Sequence, residues 1–436
     1  MSTATPPLRF VGKLRDICGA QHVIDDPARL DAARISGVAP AIAVEPGSAD
    51  EIAAILRFAN EHGISVVTAG GFTQQQAGNR PAQIDVLLYA TRLTEVEHYD
   101  PADLTVGVGA GCTIAQLRDT VAQDGLLFAA DPAMPERATI GGTLATALAG
   151  PLRHGYGGLR DYCIGIRFVT GDGRKGKGGG RVVKNVAGYD MMKLLIGSWG
   201  TLAVITSASF KLFPAPRQTR TFIAEFPNAA EAIQYRKVVL RSPLSPICLE
   251  VVSPDAGALL AAGARTPKTW SICVRASGSD AVLARYRSEL GSAISREIDG
   301  GDERQLWQAI QNFAPSIAEQ HPECVLMTMS LPPAEVRTAL DELQSIATST
   351  GSTLAVIGRA AVGQLLVGLW PANAAAISTF QNRLPRDASL AILRCPEELS
   401  ARAASCFRSP THIDSMRSIK RALDPNDILN RGRFVF

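Results

Sequence analysis

Apolar residues recur along the chain in two alternating rhythms, broken by glycines. The clearest helical period runs from Ser48 to His62, with Ile52, Ile55, Leu56 and Ala59 on one stripe. Ser48 stands at the N-cap position with Glu51 three residues on, and Gly63 ends the run. Ile64 to Thr68 then reads as a buried strand entering Gly70-Gly71. Further strands are expected at Ile84–Leu88, Val96–Tyr99 and Leu104–Val108, and Thr113 with Gln116 opens a second capped helix that stops by Gly125. Strand, glycine turn and helix recurring from about 42 to 215 predict a mixed α/β region.

Pro214-Ala215-Pro216 interrupts this pattern. Beyond it, strands at Thr221–Phe226, Cys248–Val252, Ser271–Ala276, Cys324–Ser330, Thr353–Ile357, Leu365–Leu369 and Leu390–Leu393 alternate with helices at 228–240, 280–290, 303–313, 333–347 and 372–383. That is an α+β region with strands enough for one sizeable sheet, and no short-period repeat is visible. A final helix from about 412 to 423 leads to Asp424-Pro425 and the tail Ile428 to Phe434.

Composition narrows the function classes. Of 436 residues, 46 % are hydrophobic and 19 % charged, as for a globular protein of two or three domains. The net charge of +3 is too small to imply a nucleic-acid partner. No run approaches a membrane span, and the first ten residues have no signal-like apolar core. The eight cysteines are scattered without a CxxC or CxxxC pair, so neither an iron–sulfur cluster nor a cysteine zinc site is expected, and reduced buried thiols fit a cytoplasmic protein.

Four glycine-rich stretches compete for phosphate binding. Gly107-Val108-Gly109-Ala110-Gly111 lacks the last glycine of a dinucleotide fingerprint, and a strand ending in a tight turn is the plainer reading. Gly171 to Gly178 has Walker A spacing, but Gly178 offers no hydroxyl for magnesium; a basic hairpin tip between strands Ile164–Thr170 and Arg181–Lys184 is the plainer reading. The two remaining stretches are Ala69-Gly70-Gly71-Phe72-Thr73-Gln74 after a buried strand, and Ala138-Thr139-Ile140-Gly141-Gly142-Thr143 ahead of a helical run at Leu144–Ala149. Glycines there let backbone N–H groups converge on an anion, so two loops about 70 residues apart suggest a clamp on a pyrophosphate.

The order of these segments resembles the FAD-binding domain of the p-cresol methylhydroxylase and vanillyl alcohol oxidase superfamily. The resemblance rests on the loops at 66–74 and 138–142, Val106 to Gly111, Tyr156-Gly157, and Gly197-Ser198-Trp199-Gly200-Thr201-Leu202-Ala203-Val204-Ile205-Thr206. Within it the chain is similar to FAD-binding subunits of bacterial glycolate oxidases (glycolate dehydrogenases), through Leu148 to Arg153, Arg160-Asp161-Tyr162, Lys184 to Asp190 and the Ile428 to Phe434 tail. The resemblance implies an α+β chain: a two-subdomain FAD-binding domain at 1–215, a ferredoxin-like α+β cap at 216–400, and a segment at 401–436 returning to the first domain. It further implies that Ala69 to Gln74 and Ala138 to Thr143 hold the pyrophosphate and ribityl chain. Gly150, Arg153, His154, Tyr156 and Gly157 would lie beside the isoalloxazine, and Gly197, Gly200, Thr201, Val204 and Ile205 beside the adenine. The first loop departs from the family's RGGGS-like stretch: an arginine and a glycine are missing, and Phe72 is bulky. With no histidine in that loop, FAD is expected to bind non-covalently.

Oxidation of a 2-hydroxy acid needs a cation for the carboxylate and a base for the hydroxyl proton. Arg153, Arg431 and Arg433 are candidate clamps and His154 a candidate base. After His154 only His321 and His412 remain, so no histidine-rich metal site is expected. The resemblance implies glycolate oxidation in a complex with a larger flavin subunit and an iron–sulfur subunit, peripheral at the inner membrane through those partners. Two alternatives stand beside it: a self-sufficient FAD dehydrogenase of another small hydroxy acid such as D-lactate, and a scaffold subunit whose flavin binding is lost at Phe72.

Overall fold

The computed structural model describes residues 10–181, 188–261, 269–372, 374–383, 388–400, 406–408 and 410–435. Most of the Lys184 to Asp190 stretch, and Val182 to Lys184 of the strand expected there, lie outside them.

Two sheets build the first half. Val23–Ile24, Ile42–Val44, Val86–Tyr89 and Val66–Ala69 lie side by side in that order, the last three parallel. Helix Ala49–His62 connects Ile42–Val44 to Val66–Ala69 and buries Ile52, Ile55 and Leu56 in a core shared with Val44 and Val66. The Ser48 hydroxyl accepts the Glu51 N–H at 3.1 Å, but the Glu51 carboxylate accepts from Gly47 N–H, one residue before the box position. The second sheet is antiparallel: Val96–Asp100, Thr105–Gly109, Ala203–Lys211, Cys163–Thr170 and Lys175–Gly179.

Both decoy glycine stretches resolve as strand. Thr105–Gly109 ends in a turn packed on neighbouring backbone, where a Cβ at Gly109 would lie 2.2 Å from the Leu93 carbonyl. The Walker-like stretch keeps the expected hairpin, with its turn at 171–174, but corrects the bounds of the second strand. It forms the edge strand Lys175–Gly179 itself, paired with Cys163–Thr170, so the turn is tighter than a tip reaching Arg181. A Cβ at Gly176 would meet the Phe168 ring at 2.5 Å and one at Gly178 the Met191 side chain at 2.6 Å; glycine lets this strand lie flat on both.

The second half carries an eight-stranded antiparallel sheet made of two βαββαβ units. In the first, strands Thr219–Phe226, Cys248–Val252, Trp270–Ser277 and Ile294–Ile298 stand in the order 4-1-3-2; in the second, Val325–Ser330, Thr353–Arg359, Gln364–Trp370 and Ser389–Arg394 stand 2-3-1-4. The ferredoxin-like arrangement is therefore present twice, and the units join where Cys248–Val252 pairs with Thr353–Arg359. Strand Ile294–Ile298 was not expected from the sequence, because its Ile-Ser-Arg-Glu-Ile run sits at the sheet edge with polar residues outward. Helices Ala229–Arg241, Asp280–Leu290, Val336–Thr350 and Ala374–Arg383 cover one face. Helices Gly300–Gln311 and Phe313–Gln320, and residues Leu148, Leu152 and Trp199 of the first half, pack on the other.

After helix Ile413–Leu423 the chain crosses back. Val66 N–H donates to Ile428 O at 2.8 Å and Asn430 N–H to Val66 O at 2.9 Å, so the tail runs parallel beside the strand that carries the first glycine loop.

Candidate FAD-binding and active site

Between the two sheets of the first half lies a cleft of about 840 Å³ including its open mouth. Its walls are built from residues with little or no side chain, among them Gly70, Gly71, Ala110, Gly141, Ala145 and Gly200. The two glycine loops touch one another at its floor. A Cβ on Gly71 would fall 1.6 Å from the Arg137 carbonyl oxygen, and one on Gly70 would fall 2.0 Å from Thr139 Oγ1. Only glycine permits this approach.

The first loop offers the donors. The N–H groups of Gly71, Phe72 and Thr73 meet no acceptor among the described residues, while Phe72 adopts φ +62°. Successive N–H groups in such a turn form a concavity suited to an anion. The Phe72 ring turns out of the loop toward Tyr89, with centroids 6.2 Å apart, and packs against the Ile24, Ile35 and Ile84 core. The bulk that made this loop suspect in sequence is thus directed away from the crossing point. The second loop contributes shape rather than donors: Ile140 and Gly141 N–H groups are taken by Cys112 and Ala110 carbonyls, and Gly142 N–H by Thr139 Oγ1.

The tail completes the cleft. Asn430 accepts the Thr68 N–H at 3.0 Å and donates to Trp199 O at 2.6 Å. Arg433 is buried along one wall, its guanidinium held by the Gln75 and Ala77 carbonyls, with no carboxylate partner among the described residues. Burial pulls its pKa down to about 10, so it remains a cation at neutral pH. A slot with unpaired N–H groups and an uncompensated arginine fits the diphosphate of FAD. No histidine, cysteine or tyrosine stands among the described wall residues to attach it covalently.

The remaining residues singled out in the sequence divide by position. Ala69, Thr73, Gln74, Thr139, Gly142, Val204 and Ile205 line the cleft with those above. Ala138, Ile140 and Thr143 are buried behind it and hold the second loop in place. Gly197 and Thr201 flank Trp199, Gly197 N–H donating to Leu144 O and the Thr201 carbonyl accepting from Lys420 Nζ at 2.8 Å. Gly150, Arg153, His154, Tyr156 and Gly157 lie at the junction with the cap rather than on the cleft wall; Gly155 N–H donates to Ile247 O of the cap at 3.1 Å. Arg431 is not brought to them. It turns back on its own segment, Nε donating to Asp427 O, and lines a separate cavity with His62 and Asp85. Two residues on, past Gly432 at φ +72°, Arg433 faces the cleft instead.

Charged groups gather at the junction that no motif announced. Glu250 and Arg359 face each other across the two cap halves, 0 % and 5 % exposed. Burial raises the Glu250 carboxyl to about 7 against the opposing pull of Arg359, and that of Asp131, whose Oδ2 accepts the Leu152 N–H, to about 6 against Arg118. The signal in sequence was a lone charge inside each apolar strand. Among the described residues no group of three or more His, Cys, Asp or Glu side chains could hold a metal ion.

Asp131 gives a pH prediction. Its folded pKa lies above the ordinary value of about 4, so protons bind the folded state more tightly and its stability falls as pH rises from about 4 through 6. Asp131→Asn is expected to flatten that slope and melt several degrees above the parent at pH 8. Thermal melts of both proteins from pH 4 to 8 check this; parallel curves would refute it.

The fold and the cleft together define an FAD-dependent oxidoreductase. The chain belongs to the FAD-linked oxidases: residues 40–175 match the FAD binding domain, and 215–375 with 403–434 match the FAD linked oxidases C-terminal domain. It is 25 % identical to glycolate oxidase subunit GlcD of Bacillus subtilis over 90 % of this chain and 88 % of that one. It is 38 % identical to a D-lactate dehydrogenase of Archaeoglobus fulgidus over 49 % of this chain and 48 % of the relative, so that match spans about half of either protein. A 123-residue stretch, 28 % of this chain and 35 % of the relative, is 39 % identical to glycolate oxidase subunit GlcE of Escherichia coli. The fold matches that of p-cresol methylhydroxylase with substrate bound at a TM-score of 0.78, covering 98 % and 96 % of the two chains at 16 % identity.

Proposed function

We propose that this chain is the FAD-binding subunit of a complex that oxidises glycolate to glyoxylate and passes the electrons to a partner. The observation that carries the reading is the glycine-floored cleft, walled on one side by Arg433. Relatives named as 2-hydroxy-acid dehydrogenases and as glycolate oxidase subunits support the substrate class and the complex. Bound FAD supplies the two-electron acceptor. His154 accepts the hydroxyl proton: its Nδ1 is buried without a partner, and burial lowers its pKa, keeping the imidazole neutral. The reading includes a larger flavin subunit and an iron–sulfur subunit as electron exits. It places the complex in the cytoplasm, against the membrane only through partners; no helix among the described residues is long and apolar enough to cross one.

A second reading, a self-sufficient dehydrogenase of D-lactate, is favoured by the matched half of the Archaeoglobus enzyme. Anaerobic addition of glycolate or D-lactate to the purified chain, with and without co-purifying partners, separates the two by loss of visible flavin absorbance. Bleaching by glycolate that needs the partners supports the complex, and bleaching of the isolated chain by D-lactate supports the second reading. Oxidised flavin throughout would sink both.

A further inference from the structure

One segment of the FAD-binding half reaches both the cofactor cleft and the cap. Residues 131–139 run from Asp131, whose carboxylate accepts the Leu152 N–H, to Thr139 in the second glycine loop. Midway stands Met134 at φ +52°, a left-handed conformation that is costly for a residue with a Cβ and persists only where its surroundings impose it. The Met134 carbonyl accepts the Arg137 N–H at 2.9 Å and the Ala138 N–H at 2.8 Å. This turn therefore sets the direction of the Arg137 carbonyl, the atom against which Gly71 closes. The Arg137 side chain also donates to the Gly71 carbonyl at 3.2 Å. From its own half the turn is held by the Ala115 N–H, which donates to Pro135 O at 3.0 Å.

A further hold comes from the cap. Asn312 Oδ1 accepts the Met134 N–H at 2.9 Å, and Gln311 Nε2 donates to Pro132 O at 2.6 Å. Both residues stand at the corner between helices Gly300–Gln311 and Phe313–Gln320. The Asn312 backbone is committed to those helices: its N–H donates to Gln308 O and its carbonyl accepts the Ser316 N–H, which leaves the side chain to reach across the junction. Around the corner Ile310, Phe313 and Ile317, each at most 1 % exposed, pack with the cap sheet. The two amides thus project from a fixed base. Neither lines the cleft, yet a continuous path of hydrogen bonds and one close contact joins them to its floor.

We infer that Asn312 and Gln311 are positioning residues for the cofactor: from the cap they hold residues 131–139 in the conformation in which the two glycine loops meet. The inference needs only the FAD cleft and holds whichever hydroxy acid is oxidised. Affinity for FAD scales with the fraction of apoprotein whose loops are already set. The test is titration of FAD into the apoprotein of the full chain, followed by flavin fluorescence, with melting transitions recorded alongside. Asn312→Ala is expected to weaken FAD binding about tenfold, the shift that one lost hydrogen bond imposes on such an equilibrium. Asn312→Asp, whose carboxylate accepts the same N–H, should stay within about twofold of the parent. Gln311→Ala spares the Met134 bond and should cost about threefold; it keeps the test decisive should Asn312→Ala fail to fold. Ile310→Val shortens a buried side chain on the same helix without touching the segment, so it should lower the melting midpoint and leave FAD affinity unchanged. Parental affinity in Asn312→Ala and Gln311→Ala overturns the inference. So does a loss in Ile310→Val equal to theirs, or an Asn312→Asp protein as weak as Asn312→Ala. A parent that takes up no FAD overturns the cleft itself.

Discussion

Replacing Gly71 by alanine is expected to give a folded protein that purifies without colour, its FAD affinity lowered about 100-fold or more. The added methyl would sit 1.6 Å from the Arg137 carbonyl oxygen, and that atom is backbone, with no rotamer to move. The loops must then part, carrying the Gly71, Phe72 and Thr73 N–H groups out of register. Losing two such hydrogen bonds to a diphosphate, at about 1.5–3 kcal/mol each, accounts for the magnitude. Gly70→Ala collides instead with Thr139 Oγ1 at 2.0 Å, a side-chain atom. It should cost less, and Gly70→Ala/Thr139→Ala should recover part of the loss, although Thr139 also caps helix Ile140–Thr146. Flavin-to-protein absorbance ratios and fluorescence titration with FAD measure all three. A yellow Gly71→Ala protein of parental affinity would show that the loops do not meet at the cofactor.

Lys420→Met is expected to be the most destabilising single change, by about 3–5 kcal/mol. Lys420 Nζ, 6 % exposed, donates to the Thr201 carbonyl at 2.8 Å, the Asp424 carboxylate at 2.5 Å and the Leu429 carbonyl at 3.0 Å. Asp424, 1 % exposed, accepts in turn from the Ile428 and Leu429 N–H groups. One ammonium therefore ties the turn that enters strand Ala203–Lys211 to the tail that carries Asn430 and Arg433. Without it the buried Asp424 carboxylate loses its counter-ion and two carbonyls lose their donor. Denaturant titration should show a lower midpoint, and the same protein should release FAD more readily. Asp424→Asn/Lys420→Met, which removes both charges, should recover part of the deficit; a double variant no better than the single one would argue against the pair.

The two glycine loops were legible because their requirement is geometric. Gly71 marks a point where backbone meets backbone, and Gly70 and Gly141 points where backbone closes on the Thr139 and Ala110 side chains; that demand is written into residue type. The helix at Ala49–His62 and seven of the eight cap strands were legible through periodicity. Phe72 was not: a positive φ on an aromatic residue, with its ring stored under Tyr89, depends on a hydrophobic pocket assembled from Ile24 and Ile84. Arg431 and Arg433 could not be distinguished either, since Gly432 reverses the chain between them and sends adjacent arginines to different cavities. Glu250 and Arg359 stand 109 positions apart and become neighbours only because two βαββαβ halves meet edge to edge. No local motif encodes that encounter.

The bond between Asn430 and Thr68 spans 362 positions of sequence. During synthesis the glycine loop therefore emerges long before the segment that walls it in. A nascent polypeptide stalled short of Leu429 would lack Asn430 and Arg433, and so would have no complete cradle for the flavin. Cofactor loading is accordingly tied to synthesis of residues 428–433, and any insertion or cleavage that displaces them should disturb it even where every cleft glycine is intact.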